Sequence, residues 1–308
     1  MAKERIIPIF VPHLGCPHSC VFCNQKRITG EQRPATAEDV INAIGEDKDS
    51  QVAFYGGSFT AIPECMQEEL LSAASGHVIR LSTRPDAIDE RTLERLKEYG
   101  VETIELGAQS MDDEVLVKAG RGHDAQCVID ASRMIQEKGF HLVLQMMTGL
   151  PGSSKEKDIN TARRIAELHP DGVRVYPTVI VRDTDLYDMY VSGEYQEHTV
   201  EDAVEVCSEI LSIFDEQGIP VIRLGLNPTD ELSAGAAVAG AYHPALGELV
   251  KSRMLRNEME EILEGVSGGD IVIEVQKNRL SQAIGQHRSN IAYLTDKYNL
   301  RSLKIICE

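Results

Sequence analysis

Three cysteines stand within eight residues near the start of the chain: Cys16, Cys20 and Cys23, in Gly15-Cys-Pro-His-Ser-Cys-Val-Phe-Cys-Asn24. Three cysteinyl ligands leave one iron of a four-iron, four-sulfur cluster unfilled by protein. An open iron can bind a substrate or cofactor, much as catalytic zinc keeps one position open. The plainer alternative is structural zinc, with His13 or His18 as fourth ligand. Zinc knuckles usually pair two Cys-x-x-Cys halves, and no second half exists here, so the spacing favours the cluster. Cys65, Cys127, Cys207 and Cys307 have no partner spacing and read as ordinary helix or strand residues, so a second cluster is not expected.

The elements that must position these thiols alternate short apolar strands with amphipathic helices, the pattern of parallel α/β architecture. Strands are predicted at 6–11, 52–54, 78–81, 103–106, 142–147 and 173–176. Between them, Thr36 and Asp39 suit a capping box, Pro63 a first helical turn, and Asp89 a cap for a helix closed by Gly100. Further helices are predicted at 124–138, 155–168 and 199–217, the last with Thr199 and Asp202 as a capping box. Six βα units in series predict a partial barrel of the TIM type, a (β/α)6 fold with a C-terminal extension. Its functional loops belong at the carboxyl ends of the strands. The cysteine loop follows the first strand, where that rule places it.

Beyond the barrel come a strand at 221–224, a small-residue stretch at 233–240 and a helix at 245–263. A linker at 265–269 precedes a strand at 270–276, a helix at 280–298 and a strand at 302–307. The expected layout is residues 1–180 for the barrel, 181–265 for an extension packed on it, and 266–308 for a small basic module.

The chain has 308 residues and 42% hydrophobic content, enough for a substantial core, and no Trp. No apolar run is long enough to span a bilayer, and the N-terminus lacks a signal-peptide pattern. The expected location is the cytoplasm, where thiols stay reduced. A net charge of −18 argues against nucleic-acid binding over the whole surface. The charge is uneven, however. Residues 276–308 carry six Lys and Arg against Asp296 and Glu308, a net +4 against −22 for residues 1–275.

The strand ends carry the remaining chemistry. Tyr55, Gly56 and Gly57 close the second strand, and two glycines there let a ligand approach the backbone. A tight turn is the plainer reading of Gly-Gly. Ser82-Thr-Arg-Pro-Asp86 follows the third strand; Arg84 can meet a carboxylate, and Ser82 and Thr83 can bond hydroxyls. A surface salt bridge is the plainer reading there. Glu105-Leu-Gly-Ala-Gln-Ser110, Gly120-Arg-Gly-His123, Gln145-Met-Met-Thr-Gly-Leu-Pro-Gly152 and Tyr176-Pro-Thr178 follow in turn.

Together with the Cys-x3-Cys-x2-Cys spacing, this series resembles the radical S-adenosylmethionine (SAM) superfamily. Within it, the series is similar to the radical SAM domain of the Elongator catalytic subunit and its bacterial relatives, over roughly residues 5–250. The Gln-Ser and Gly-Leu-Pro-Gly elements also resemble oxygen-independent coproporphyrinogen oxidase. The resemblance implies a 4Fe-4S cluster on Cys16, Cys20 and Cys23, with SAM as second cofactor. It implies reductive cleavage of SAM to a 5'-deoxyadenosyl radical and an external reductant such as flavodoxin or ferredoxin. It implies SAM contacts from Tyr55, Gly56, Gly57, Ser82, Arg84, Gln109, Arg121 and Gln145. Ser58 stands where the family often has Glu, and Gln145 where the coproporphyrinogen enzyme has an acidic ribose ligand.

The tail segment Ser281-Gln-Ala-Ile-Gly-Gln-His-Arg-Ser-Asn-Ile291 resembles the Gly-x-x-Gly loop of KH domains, with Gly285 alone retained. Gln286, His287, Arg288 and Asn290 at a helix start could hold phosphates. A small α/β cap on the barrel is the plainer reading. The expected function is RNA modification, of tRNA in particular, with RNA bound through residues 276–308. Two alternatives are a radical SAM enzyme for a small molecule such as a tetrapyrrole, and a non-catalytic, metal-stabilised RNA-binding protein.

Overall fold

The structure is a computed structural model and describes residues 5–11, 16, 19–29, 33–227, 229 and 232–307. His13 and His18, weighed above as zinc ligands, lie outside the described residues.

Six strands come first: β1 (Ile6–Phe10), β2 (Gln51–Tyr55), β3 (Ile79–Thr83), β4 (Val101–Gln109), β5 (His141–Thr148) and β6 (Gly172–Pro177). After β7 (Val179–Val181), β8 (Val221–Leu224) returns to the same sheet. The order is β1-β2-β3-β4-β5-β6-β8, and every pairing in it is parallel. The partial barrel therefore has seven strands, and the sheet continues past residue 180. The helix Val200–Glu216 lies on the last of the six crossovers, between β6 and β8.

The helices begin where polar caps can satisfy their first amides. Thr36 with Asp39, and Thr199 with Asp202, form the predicted capping boxes. Asp89, Asp124 and Ser154 each accept from the third helical amide beyond them. Each such cap stabilises its helix by about 1 kcal/mol.

Strand register sorts the side chains into two faces. Ile7, Ile9, Val52, Phe54, Ile79, Leu81, Ile104, Leu106, Leu142, Leu144, Val173 and Val175 are buried in one core beneath the helices. Burial of each such side chain stabilises the fold by about 1.5–3 kcal/mol. The intervening positions face the concave side. Pairing aligns Ser82 with Glu105, Gly107 with Gln145, Gln145 with Arg174, and Arg174 with Arg223. A row of polar and charged side chains thus lines the inside of an otherwise apolar sheet.

The small-residue stretch becomes β9 (Ala237–Gly240), an antiparallel partner for β7. Gly240 has φ 88°, and a Cβ there would fall 2.7 Å from the Thr178 carbonyl oxygen. The ribbon needs a residue without a side chain at that crossing.

The tail forms β10 (Asp270–Val275) and β11 (Ser302–Cys307), which pair in parallel. One continuous helix was expected between them. The structure instead has Leu280–Ile284, a turn at Gln286–Arg288, and Ser289–Lys297. Gly285, His287 and Arg288 all have positive φ, which breaks the helix. A Cβ on Gly285 would meet Ser289 Oγ at 2.5 Å, so the second helix packs against a bare backbone. Asn290 is buried and its amide donates to the Ser252, Gln282 and Ala283 carbonyls. Leu255 and Met259 of the preceding helix, and Leu263 that caps it, share a core with Ile273, Ala283, Leu294, Leu300 and Leu303 of the tail.

Candidate functional site

The cysteine loop leaves β1 and is held from both sides. Val21 donates its amide to the Ala119 carbonyl at 3.1 Å, and Leu186 donates to the Val21 carbonyl at 2.8 Å. Gly120, at φ 66°, lets the loop approach closely; a Cβ there would sit 3.0 Å from the Ser19 carbonyl oxygen. All seven cysteines are free thiols.

Arg121 ties the loop to the barrel. It is buried, and its Nη1 donates to Cys20 Sγ at 3.1 Å while Nη2 donates to the Gly107 carbonyl at 2.5 Å. Arg84, also buried, is held by Asp86 through Nε at 2.8 Å and Nη2 at 2.9 Å, and donates to the Arg121 carbonyl. Arg84 Nη1 and Arg121 Nε are buried with no hydrogen-bond partner. Gln109 lies beside them: a Cβ on Gly107 would meet its Nε2 at 2.9 Å and Arg121 Nη2 at 3.3 Å. The Gln109 backbone has φ 65°, a conformation that a non-glycine residue adopts uncommonly.

Burial, then the neighbouring Cys20 thiol, pushes the Cys23 pKa up to about 12. The same two causes raise Cys16, against a pull downward from Arg84 and Arg121. Such thiols keep their protons until a metal displaces them. The three thiols sense one another's charge, yet no three His, Cys, Asp or Glu among the described residues form a group that could hold a metal ion. Cys16, Cys20 and Cys23 stand on one loop at the sequence spacing of a three-thiolate cluster site. The two orphaned guanidinium N–H groups beside it suit an anionic group. The donor set fits an iron–sulfur cluster carrying a carboxylate-bearing cofactor.

The other predicted residues divide between two places. Gly56, at φ 98°, and Gly57 sit at the end of β2 beside this site's loops. Ser58 is fully buried, bonded to Thr83 Oγ1 at 3.0 Å and to the Arg84 amide at 3.3 Å, so it supports the strand end. Tyr55 and Gln145 belong instead to a network centred on Glu105, which is fully buried. Glu105 accepts from Tyr55 at 3.1 Å, Arg80 at 3.2 Å, Arg174 at 2.9 Å and Gln145 at 3.0 Å. Gln145 also reaches Ser82 Oγ at 3.4 Å. Burial, then the Glu105 carboxylate, pushes the Tyr55 phenol up to about 12, which keeps it a donor.

Sequence reasoning named no role for Glu105, Arg80, Arg174, Arg223 or His123. The signal was present: Thr-Ile-Glu-Leu and Val-Arg-Val-Tyr each set a charge inside an apolar strand, which only a polar interior accommodates. His123 donates from Nδ1 to the Asp124 carbonyl, leaving Nε2 buried without a partner. Burial, then Arg121, holds its pKa down at about 4. A cavity of about 1240 Å³ lies elsewhere, walled by Pro151, Tyr195, His198 and Asp202, and contains none of these residues.

A half-barrel with a three-thiol loop and paired arginines at its mouth defines an iron–sulfur enzyme of the partial-barrel class. The family model of the Radical SAM superfamily matches residues 10–165, and that of the Radical_SAM C-terminal domain matches residues 170–256. The chain belongs to the radical SAM superfamily, whose enzymes use a 4Fe-4S cluster and SAM and need a reductant. It is 29% identical to Elongator complex protein 3 of Homo sapiens over 226 residues, 65% of this chain and 40% of that protein. It is 32% identical to a tRNA uridine(34) acetyltransferase of Methanocaldococcus infernus over 177 residues, 56% of this chain and 32% of that one. The match thus spans well under half the length of these relatives. Among solved structures, the archaeal Methanocaldococcus infernus Elp3 superposes with a TM-score of 0.67 at 22% identity, covering 84% of this chain and 64% of that one. The expected likeness to the Elongator subunit is borne out, and the non-catalytic reading is set aside. No helix among the described residues is long and apolar enough to cross a membrane.

Proposed function

We propose that this protein is a radical SAM enzyme that modifies RNA, with tRNA as the first substrate to test. The observation that carries the reading is the sequence shared with relatives named for Elongator and for tRNA uridine(34) acetyl transfer. The proposal covers the radical step alone, because the match spans only part of those relatives.

When bound, the cluster and SAM supply a 5'-deoxyadenosyl radical for hydrogen abstraction. In this reading Cys16, Cys20 and Cys23 hold the cluster. Arg84 and Arg121 offer their unpartnered N–H groups to the SAM carboxylate. Gly56 and Gly57 admit the amino group to backbone carbonyls, and Gln109, Ser82 and Gln145 bond the nucleoside. The sheet and its loops exclude water from the concave face. Arg84→Ala and Gln109→Ala are each expected to weaken SAM binding about tenfold, the worth of a lost charge-assisted or buried hydrogen bond. Equilibrium dialysis on cluster-loaded protein measures this; unchanged affinity in both variants removes these residues from the SAM site.

The tail supports an RNA substrate. Arg279, Lys297 and Arg301 are engaged by Glu258, Glu260 and Asp270. Lys277, Arg288 and Lys304 are exposed, with no ion pair among the described residues. Arg288 stands on the positive-φ turn between two helices. Lys277→Ala with Arg288→Ala should weaken binding of an unmodified tRNA transcript. The slope of log affinity against log salt should fall by about one unit per lost phosphate contact. No binding at low salt, or equal binding by the double variant, overturns the RNA reading and leaves a small molecule in the barrel as the substrate.

A further inference from the structure

We propose that Arg174 and Arg223 form an oxyanion site on the concave face, taking a carboxylate or phosphate group of the molecule processed in the barrel. The inference rests on the half-barrel reading above and adds the chemical class of what the barrel receives.

Three arginines stand in this part of the sheet, and two of them share one carboxylate. Arg80 and Arg174 both pair with Glu105, at 3.2 and 2.7 Å. Arg223 pairs with no carboxylate among the described residues; its Nε donates to the Gly225 carbonyl at 2.9 Å. Register puts Arg223 directly opposite Arg174 on the neighbouring strand. Like charges in that position repel and destabilise a sheet. Burial holds the Arg223 pKa below its ordinary value; Tyr176 pulls it upward, and Arg174, by a smaller effect, pushes it down. Both arginines also draw the buried Tyr176 phenol downward, although burial raises it overall. Two cations and a phenolic O–H therefore converge with one of the cations unneutralised, in a chain whose net charge is −18.

The position suits a substrate group. Arg174 and Gln145 lie in one row with Gly107, and Gln109 stands two residues further along β4, about 7 Å of strand. A molecule reaching from the mouth toward the sheet would bring an acidic group to these arginines. Exchange of a paired cation's repulsion for a shared oxyanion turns the one unfavourable contact in the row into a favourable one.

Full-length protein is titrated by calorimetry with sodium phosphate and, separately, sodium acetate, with sodium chloride holding ionic strength constant. Saturable binding of one anion is expected, and which one binds identifies the group as phosphate or carboxylate. Arg223→Met should weaken that binding about tenfold or more, and Arg223→Lys should retain most of it. Without anion, Arg223→Met should melt no lower than the wild type, because the repulsion is gone. Absence of saturable binding by either anion, equal binding by Arg223→Met, or a lower melting temperature for that variant overturns the proposal. Wild-type protein that binds the anion but cleaves no SAM would refute the radical reading and leave this site standing.

Discussion

Replacing Cys16, Cys20 and Cys23 together with alanine will strip the protein of iron and leave its sheet folded. None of the three belongs to an apolar core, and the loop is held by backbone bonds from Val21 and to it from Leu186, which alanine retains. Protein purified without oxygen should be brown, with the visible absorption of thiolate-bound iron; the triple variant should be colourless. Cys65→Ala, Cys127→Ala and Cys307→Ala should keep full iron content. Cys207 sits in the main core, so Cys207→Ala should keep iron and lose a little stability. Iron analysis and circular dichroism on the same samples decide the matter. Iron that survives the triple change would place the cluster elsewhere.

Glu105→Gln should be among the most damaging single substitutions in the barrel. The carboxylate is fully buried and answers two arginines, a phenol and an amide at once. Glutamine keeps the shape, removes the charge, and turns an NH2 group toward guanidinium donors. Removing one partner of a buried ion network costs about 3–5 kcal/mol. A domain is stable by about 5–15 kcal/mol in total, so the urea midpoint should fall by a large fraction or the protein should be insoluble. A loss below about 1 kcal/mol would mean that water, not Glu105, balances those arginines.

The sheet was legible because each parallel strand is a short apolar run followed by a capped helix, and Asp89, Thr199 and Asp202 marked the starts. The cysteine loop was legible because its signal is local: three thiols lie within eight residues. Arg84, Arg121 and Gln109 could be named from motif resemblance, and the structure brings them together. The Glu105 network was not legible as a site, because its members come from β2, β3, β4, β5 and β6. Only register shows that Arg80, Glu105 and Arg174 share a face. The break at Gly285 was hidden for a different reason. Apolar spacing on either side of it continues at helical period, and only the positive φ of three nearby residues reveals the turn.

The helix Leu246–Ile262 gives the molecule a built-in ruler. Its first turns, through Leu246 and Val250, are part of the barrel core, and its later turns, through Leu255 and Met259, are part of the tail core. Asn290 fastens the Gly285–Arg288 turn to Ser252, midway along the same rod. Seventeen helical residues fix about 25 Å. The offset from the tail turn to the barrel mouth is therefore counted in helical residues, not averaged over a loose tether. One inserted residue would turn the tail by about 100° and advance it by about 1.5 Å. A partner gripping both ends would then present a different atom to the mouth.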